Sequence, residues 1–201
     1  LLALFNVPRS ALPTIVANYG QLAETDPEAF LGIDAPITGM AGDQQAALFG
    51  QAAFQKGDSK CTYGTGAFLL TNTGDQRVES KNGLITTIAW QSPSGEITYA
   101  LEGSVFVAGS AVQWLRDGLK IIKESKDVEQ LAEQVPDSGG VTFVPALTGL
   151  GAPWWNSEVR GSITGISRGT TDAHIARATL EAVAFQVTDL VRAMESDLGT
   201  K

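Results

Sequence analysis

The sequence predicts a mixed α/β fold, and two patterns predict it. After Gly57-Asp58, several short apolar and β-branched segments follow one another with glycine- or proline-containing turns between them, which is typical of antiparallel strands. Further along, helical and strand-like segments alternate, and the run 172–196 carries apolar residues at helical spacing. Antiparallel strands followed by alternating helices and strands are expected of a mixed α/β domain.

Local composition predicts each element in turn. The N-terminal quarter predicts the tail of a helix before Pro8, an irregular or partly stranded segment over 12–32 and a strand at 36–40. A helix is predicted from 43 to about 53, because Gln, Ala and Leu dominate that run. The remaining predicted elements are strands at 59–63, 67–71, 84–90 and 97–101, helices at about 105–120, 128–134 and 172–196, and short strands at 141–145 and 162–165.

Composition and charge exclude several classes of protein. The chain has 201 residues, of which 43% are hydrophobic and 18% charged, so a globular protein is expected rather than a disordered one. It carries 14 Lys plus Arg against 22 Asp plus Glu, for a net charge of -8. No basic patch is interleaved with aromatic residues, so nucleic-acid binding is disfavoured.

The single cysteine, Cys61, allows no internal disulfide, and a reducing compartment is therefore expected. Inside an apolar strand, a free Cys is more often a small core side chain than a nucleophile. No apolar run approaches the ~18 residues of a membrane span, and no secretory signal opens the sequence. We expect a cytoplasmic protein.

One carboxylate stands at a predicted strand-to-helix junction. Asp43 follows the strand-like run 36–40 and the Ala41-Gly42 break, at the point where a helix is predicted to begin. There it could cap the helix, whose dipole favours a negative charge at that end. The same position, facing a cleft, would let it accept the proton of a substrate hydroxyl that attacks a γ-phosphate. Both roles fit Asp43 from local sequence.

A glycine-hydroxyl turn follows about twenty residues later. Gly64-Thr65-Gly66 lies between two predicted strands and predicts a tight hairpin. Small residues there let backbone N–H groups and a Thr hydroxyl approach an anion. Gly-Thr-Gly also occurs in ordinary hairpins, so this turn alone does not predict a phosphate site. Together, the carboxylate and the turn suit phosphoryl transfer.

An ordered set of motifs resembles the glycerol kinases of the FGGY carbohydrate kinase family, from residue 1 to residue 201. The Gly-Leu-Gly-Ala-Pro-Trp loop at 149–154 is more similar to glycerol kinases than to xylulose or gluconate kinases. The motifs that carry the resemblance are Gly-Asp-Gln-Gln-Ala-Ala-Leu-Phe-Gly at 42–50, Thr-Tyr-Gly-Thr-Gly at 62–66, and the segments 101–109, 113–117, 148–155, 161–166 and 174–181.

The resemblance implies a longer parent protein with two domains of ribonuclease H-like, actin-like ATPase fold. Residues 1–56 would be the C-terminal part of the first domain, and residues 57–201 the N-terminal part of the second. The lack of an initiator Met and the apolar face of the last helix agree with this expectation. By itself the piece is expected to be inactive, and the complete protein is expected to form a homo-oligomer.

The resemblance also assigns roles to residues at matching positions. Asp43 would be the general base, and Gln44 would help to hold the polyol, which Phe68 would contact along its carbon chain. Glycerol and ATP would be the substrates, with Mg²⁺ as cofactor and no metal ligand among the site residues. The residues implied in nucleotide binding are Thr65, at the phosphates, and Gly109 and Gln113, at the start of a helix.

Two other functions remain open. The chain could belong to an FGGY kinase for a different polyol or ketose, or it could be a non-catalytic ATP-binding module of actin-like fold. The Asp43-Gln44 pair argues against the second. For Trp154 and Trp155 we favour an anchoring role over ligand stacking. His174 follows a helix start signal and is predicted to cap or to lie at the surface.

Overall fold

The computed structural model describes residues 1–199, which form one mixed α/β arrangement, as the sequence predicts. A short 3-10 helix, Arg9–Ala11, precedes the first strand. The strands are β1 (Tyr19–Glu24), β2 (Pro36–Gly39), β3 (Ser59–Tyr63), β4 (Ala67–Gly74), β5 (Ile85–Gln91), β6 (Ile97–Val105), β7 (Thr142–Val144) and β8 (Ser162–Thr164). The helices are α1 (Asp43–Gly50), α2 (Gly109–Asp117), α3 (Asp127–Ala132) and α4 (Asp172–Leu198).

Four antiparallel strands in the order β3-β4-β6-β5 make the central sheet. The β3–β4 hairpin closes at the pair Tyr63 and Ala67, so residues 64–66 form its tip. Two smaller antiparallel pairs, β1 with β2 and β7 with β8, lie outside this sheet. The predicted strand cluster is therefore confirmed, with bounds that differ by a few residues.

The central sheet packs a helix on each face, because successive side chains of a strand point to opposite sides. On one face, Leu70 and Ala100 pack against Leu48 of α1. On the other face, Leu69 and Leu101 belong to the apolar cluster that includes Leu190 of α4. This leaves β4 buried on both faces, so residues near the hairpin tip are held by a rigid strand.

Helix α4 is the longest element, and its start is fixed by a capping box. Thr171 and His174 bond to each other's backbone N–H groups, which satisfies two donors at the helix N-terminus. The predicted capping role of His174 is thereby confirmed. At the other end, Gly199 takes a left-handed conformation with φ 65° and terminates the helix.

Three predicted helix bounds are wrong. Residues 2–6 form turns instead of a helix tail, because Asn6 has φ 51° and interrupts the backbone. The predicted helix 43–53 ends at Gly50, since Ala52 takes φ 57°. The helix predicted from 105 begins only at Gly109, because Val105 still pairs with Ala67 as part of β6.

Cys61 is half-buried in β3 and packs against the same cluster as Leu190. Burial raises the pKa of its thiol, and a hydrogen bond with Tyr63 and the charge of Lys60 oppose that shift. A raised pKa keeps the thiol protonated at neutral pH and lowers its reactivity. The environment thus supports the interpretation of Cys61 as a core side chain. Among residues 1–199, no helix is both long enough and apolar enough to cross a membrane.

We predict that Leu190→Ala lowers the free energy of unfolding by about 2–5 kcal/mol, because a fully buried leucine would leave a cavity. Gly103 of β6 makes room for this side chain, since a Cβ on Gly103 would lie 2.9 Å from Leu190. Urea denaturation measures the change. The neighbouring Val191→Ala is the matched control, because Val191 is 39% exposed. Equal losses in the two variants would contradict the packing of α4 on the sheet.

Candidate active site

Asp43 is the first residue of α1, and its side chain is exposed. Gly42 is the N-cap, with extended backbone angles, and Asp43 makes no capping hydrogen bond. Of the two roles that fit Asp43 from local sequence, capping is therefore not the one observed, because a residue already in helical conformation does not direct its side chain at the first N–H groups as an N-cap does. Its carboxylate is free of the helix and accepts one hydrogen bond, from Gln44 Nε2 at 3.0 Å.

A buried lysine lies behind this pair. Lys60 of β3 is only 6% exposed, and its ammonium donates to Gln44 Oε1. It also donates to Thr62 Oγ1 at 3.0 Å and to the Phe68 carbonyl at 3.3 Å. A continuous chain of hydrogen bonds thus runs from Lys60 through Gln44 to Asp43.

The electrostatics of this lysine reflect its burial. Desolvation lowers the pKa of the Lys60 ammonium, while Cys61, Glu102 and Asp43 oppose the shift. Glu102 of β6 pairs in register with Leu70, which on its other side pairs with Lys60. Lys60 and Glu102 therefore flank the same β4 residue on one face of the sheet.

The three predicted substrate residues come together around Lys60. Asp43 and Gln44 approach it from α1, and Phe68 contributes its backbone carbonyl from β4. Phe68 is half-buried and stands opposite Thr62 and Ser104 in the sheet. The structure thus brings Asp43, Gln44 and the Phe68 backbone together around Lys60, and their role in holding a substrate stays a prediction.

The Gly64-Thr65-Gly66 tip is bonded to the start of α2. The Thr65 carbonyl accepts hydrogen bonds from the N–H groups of Ala108, at 2.9 Å, and Ser110, at 3.0 Å. The Ser110 hydroxyl adds a third at 2.9 Å. These bonds leave the Thr65 side chain exposed beside the N-terminus of the helix.

Gly109 is required where the hairpin tip meets α2. A Cβ on Gly109 would lie 2.4 Å from the Gly64 carbonyl oxygen, a distance that real Cβ atoms do not tolerate. The Gly109 N–H donates to that same oxygen at 2.9 Å, so this N–H is not available to an anion. Gln113 lies one turn further along α2 and is exposed. The predicted nucleotide residues Thr65, Gly109 and Gln113 thus lie in one region.

The two groups of candidate residues lie along one hairpin. Thr65 and Phe68 are three residues apart on β4 and its tip, which corresponds to about 10 Å of extended chain. A polyol beside Phe68 and phosphates beside Thr65 would therefore be neighbours. The arrangement can bring a hydroxyl, a carboxylate and a phosphate together.

Sequence reasoning did not identify Lys60 as a site residue. A partial signal existed, because Lys60 and Thr62 occupy alternate positions of β3 and therefore lie on the same face of the strand. What decides its burial is the arrival of Gln44 from α1, which no local pattern reveals. Ser110 is a second such residue, since its role depends on contact with the Thr65 carbonyl.

Other features lie apart from this site. Trp155 donates its indole N–H to the Gly83 carbonyl and packs edge-on against Phe106, with ring centroids 6.0 Å apart. This geometry supports the predicted anchoring role for Trp155.

Among residues 1–199, no group of three or more His, Cys, Asp or Glu side chains could hold a metal ion. An apolar cavity of about 390 Å³ beside α1, lined in part by Phe49 and Trp90, contains none of the predicted site residues.

Comparison with known proteins gives matches over the whole chain. The chain is 58% identical to a glycerol kinase of Bdellovibrio bacteriovorus, with all of this chain and 41% of the relative covered. Its structure matches that of Plasmodium falciparum glycerol kinase with ADP, with a TM-score of 0.88, 43% identity, and coverage of 100% of this chain and 40% of the other. A ligand-bound xylulose kinase from Lactobacillus acidophilus matches with a TM-score of 0.81 and 25% identity, over 100% of this chain and 40% of that one.

Two conclusions follow from these matches. The chain spans about two fifths of the length of these relatives, at 41% and 40%. Residues 59–201 match the C-terminal domain of the FGGY family of carbohydrate kinases. The predicted fold, part of the actin-like ATPase fold of these sugar kinases, is confirmed. The chain belongs to the FGGY family of carbohydrate kinases.

Proposed function

We propose that the full-length protein transfers the γ-phosphate of MgATP to a terminal hydroxyl of glycerol, giving glycerol 3-phosphate and ADP. The observation that carries the proposal is the Asp43 carboxylate, which is exposed, makes no capping hydrogen bond to its helix and is connected through Gln44 and Lys60 to the β3–β4 hairpin. The similarity to two glycerol kinases, at 58% and 43% identity, favours glycerol over other acceptors.

Asp43 is the proposed general base. The terminal hydroxyl oxygen of glycerol forms a bond to the γ-phosphorus while the bond to the β–γ bridging oxygen breaks, and ADP leaves with that oxygen. The hydroxyl proton passes to the Asp43 carboxylate as its oxygen attacks. Catalysis then depends on positioning and one base, without a covalent enzyme intermediate.

Gln44 and Phe68 hold the acceptor in this proposal. Gln44 Nε2 uses one hydrogen on Asp43 and has a second to donate to a polyol hydroxyl. Phe68 is half-buried, its carbonyl accepts a hydrogen bond from the same Lys60 that bonds Gln44, and its ring would offer an apolar surface to the carbon chain of glycerol. Together they direct one terminal hydroxyl at Asp43.

The nucleotide is assigned to the hairpin tip. The exposed Thr65 hydroxyl meets the phosphates, and Gln113 contacts the nucleotide from α2. Gly109 serves by close approach, since its missing side chain lets the hairpin tip and α2 join. Mg²⁺ enters with ATP and offsets the phosphate charge.

Domain division is part of the proposal. We assign residues 1–56 to the end of the first domain and residues 57–201 to the start of the second, which the match beginning at residue 59 supports. The site then combines α1 from the first domain with the sheet of the second. The remaining portion of the parent supplies further contacts, so residues 1–201 alone are expected to be inactive.

The alternatives differ in what the full-length protein does with an acceptor. A kinase for another polyol or ketose would keep Asp43 and the fold, and the 25% identity to a xylulose kinase gives it less support. A non-catalytic ATP-binding module would bind nucleotide without acceptor turnover. The Asp43–Gln44 hydrogen bond, which holds a base beside the acceptor position, favours an enzyme.

We predict that Asp43→Asn in the full-length protein lowers kcat on the order of 10²-fold or more, because the amide cannot accept the hydroxyl proton. The measurement is ADP release that depends on glycerol. Asp75→Asn is the matched control, since Asp75 is an exposed carboxylate at the far end of β4. Turnover by Asp43→Asn within about two-fold of the parent would remove Asp43 from the mechanism.

We predict that Gly109→Ala raises the KM for ATP on the order of 10-fold, because the new Cβ would push α2 away from the hairpin tip. The KM for glycerol should change little, since Asp43 and Gln44 do not contact that junction. Gly50→Ala is the control, as a Cβ at Gly50 meets no atom within 4 Å. An unchanged KM for ATP would contradict the assignment of the nucleotide to this region.

A further inference from the structure

We propose that Lys60 is a positioning residue, which fixes the orientation of the Gln44 amide and thereby holds the Asp43 carboxylate in place for the reaction. This inference rests on the proposed function of Asp43 as base. Lys60 itself lies behind Gln44, and its ammonium contacts the Gln44 side chain and only the backbone carbonyl of Phe68. Its effect on the reaction would pass through Gln44.

The hydrogen bonds that join Lys60, Gln44 and Asp43 all run in one direction, from donor to acceptor. An ammonium only donates hydrogen bonds, so the Gln44 atom that faces Lys60 is the oxygen Oε1. An ionised carboxylate only accepts, so the Gln44 atom that faces Asp43 is the nitrogen, at 3.0 Å from Oδ2. Both hydrogen bonds therefore require the same orientation of the Gln44 amide. In the flipped orientation, the amide oxygen would face the Asp43 carboxylate, and two acceptors would oppose each other.

The lysine is itself held in one position. Its ammonium has three acceptors, which match its three donors: Gln44 Oε1, Thr62 Oγ1 and the Phe68 carbonyl. Two of these acceptors belong to the β3–β4 hairpin, whose pairing is regular from Ser59 to Tyr63. The paired hairpin therefore holds the Lys60 ammonium in place, and the ammonium in turn fixes the orientation of the Gln44 amide.

Burial of this charge has no evident benefit for stability. Removing an ammonium from water is costly, and apolar residues of similar size often replace buried charges without loss of stability. Glu102, on the same face of the sheet, offsets part of the cost for Lys60. A role in orienting the site accounts for a buried lysine at this position.

This orientation of Gln44 makes the two carboxylate oxygens of Asp43 unequal. Oδ2 is occupied by Gln44, and among residues 1–199 no hydrogen bond reaches Oδ1. One oxygen thus holds the carboxylate while the other is left to meet a hydroxyl. Without Lys60, the Gln44 amide would lose its fixed end and could rotate away from Asp43.

The test is Lys60→Met in the full-length protein, which keeps the unbranched side chain and removes the charge. We expect kcat for glycerol to fall about 10-fold or more, as for other residues that orient a functional group. The KM for ATP should stay unchanged, because the hairpin tip is untouched. Lys56→Met is the matched control, since Lys56 is an exposed lysine four residues earlier. A kcat equal to that of the parent would overturn the proposal.

A double-mutant cycle separates positioning from a general structural effect. In a Gln44→Ala background, Lys60→Met should lower kcat by less than about two-fold, because the residue through which Lys60 acts is already gone. Equal fold losses in both backgrounds would show that Lys60 acts independently of Gln44 and would overturn the proposal. If Lys60→Met does not fold, Lys60→Gln replaces it, and failure of both to fold would assign Lys60 to stability instead.

A crystal structure of the folded variant keeps this inference separate from the proposed function. Absence of glycerol-dependent ADP release in the parent would defeat the proposed function by itself. The position of Gln44 in the Lys60→Met structure then decides the present inference. We expect the distance from Gln44 Nε2 to Asp43 to lengthen beyond hydrogen-bonding range. An intact Gln44–Asp43 hydrogen bond without Lys60 would overturn it.

Discussion

Pairing of β3 with β4 positions both halves of the candidate site, the residues around Lys60 and the hairpin tip beside α2, because each half is hydrogen-bonded to that hairpin. Near the middle of the hairpin, the Lys60 ammonium donates hydrogen bonds both to Gln44 of α1 and to the Phe68 carbonyl. At the tip, the Thr65 carbonyl accepts hydrogen bonds from backbone N–H groups at the start of α2. Burial of β4 between α1 and α4 keeps the hairpin rigid. The distance between acceptor and nucleotide positions is thus set by a few residues of one strand.

The proposed chemistry uses this rigidity in two ways. A loose transition state for phosphoryl transfer leaves little covalent work for the protein, so alignment of the two substrates matters most. Glycine at position 109 permits the close contact that aligns the tip with α2, while Asp43 stands free of its own helix. The base is therefore presented by the end of a helix and oriented by a neighbouring amide.

Sequence patterns identified the strand cluster, because periodicity and glycine placement are local properties, whereas the candidate site residues came from the resemblance to the FGGY kinases. The patterns failed where a tertiary contact decides. Local sequence allowed Asp43 to cap α1, yet Gly42 takes the cap position. Lys60 was not identified as a site residue, because only the approach of Gln44 from α1 makes it a buried donor. Val105 was assigned to a helix because its pairing with Ala67 could not be known in advance.

The most direct test of the account is ADP production by the full-length protein with glycerol, xylulose and gluconate at equal concentrations. The account predicts turnover selective for glycerol, since we propose that Asp43, Gln44 and Phe68 form an acceptor position for a short polyol. Turnover only of xylulose or gluconate would keep the fold and the base but contradict the proposed substrate. ATP binding with no turnover of any acceptor would contradict the assignment of Asp43 as a catalytic base.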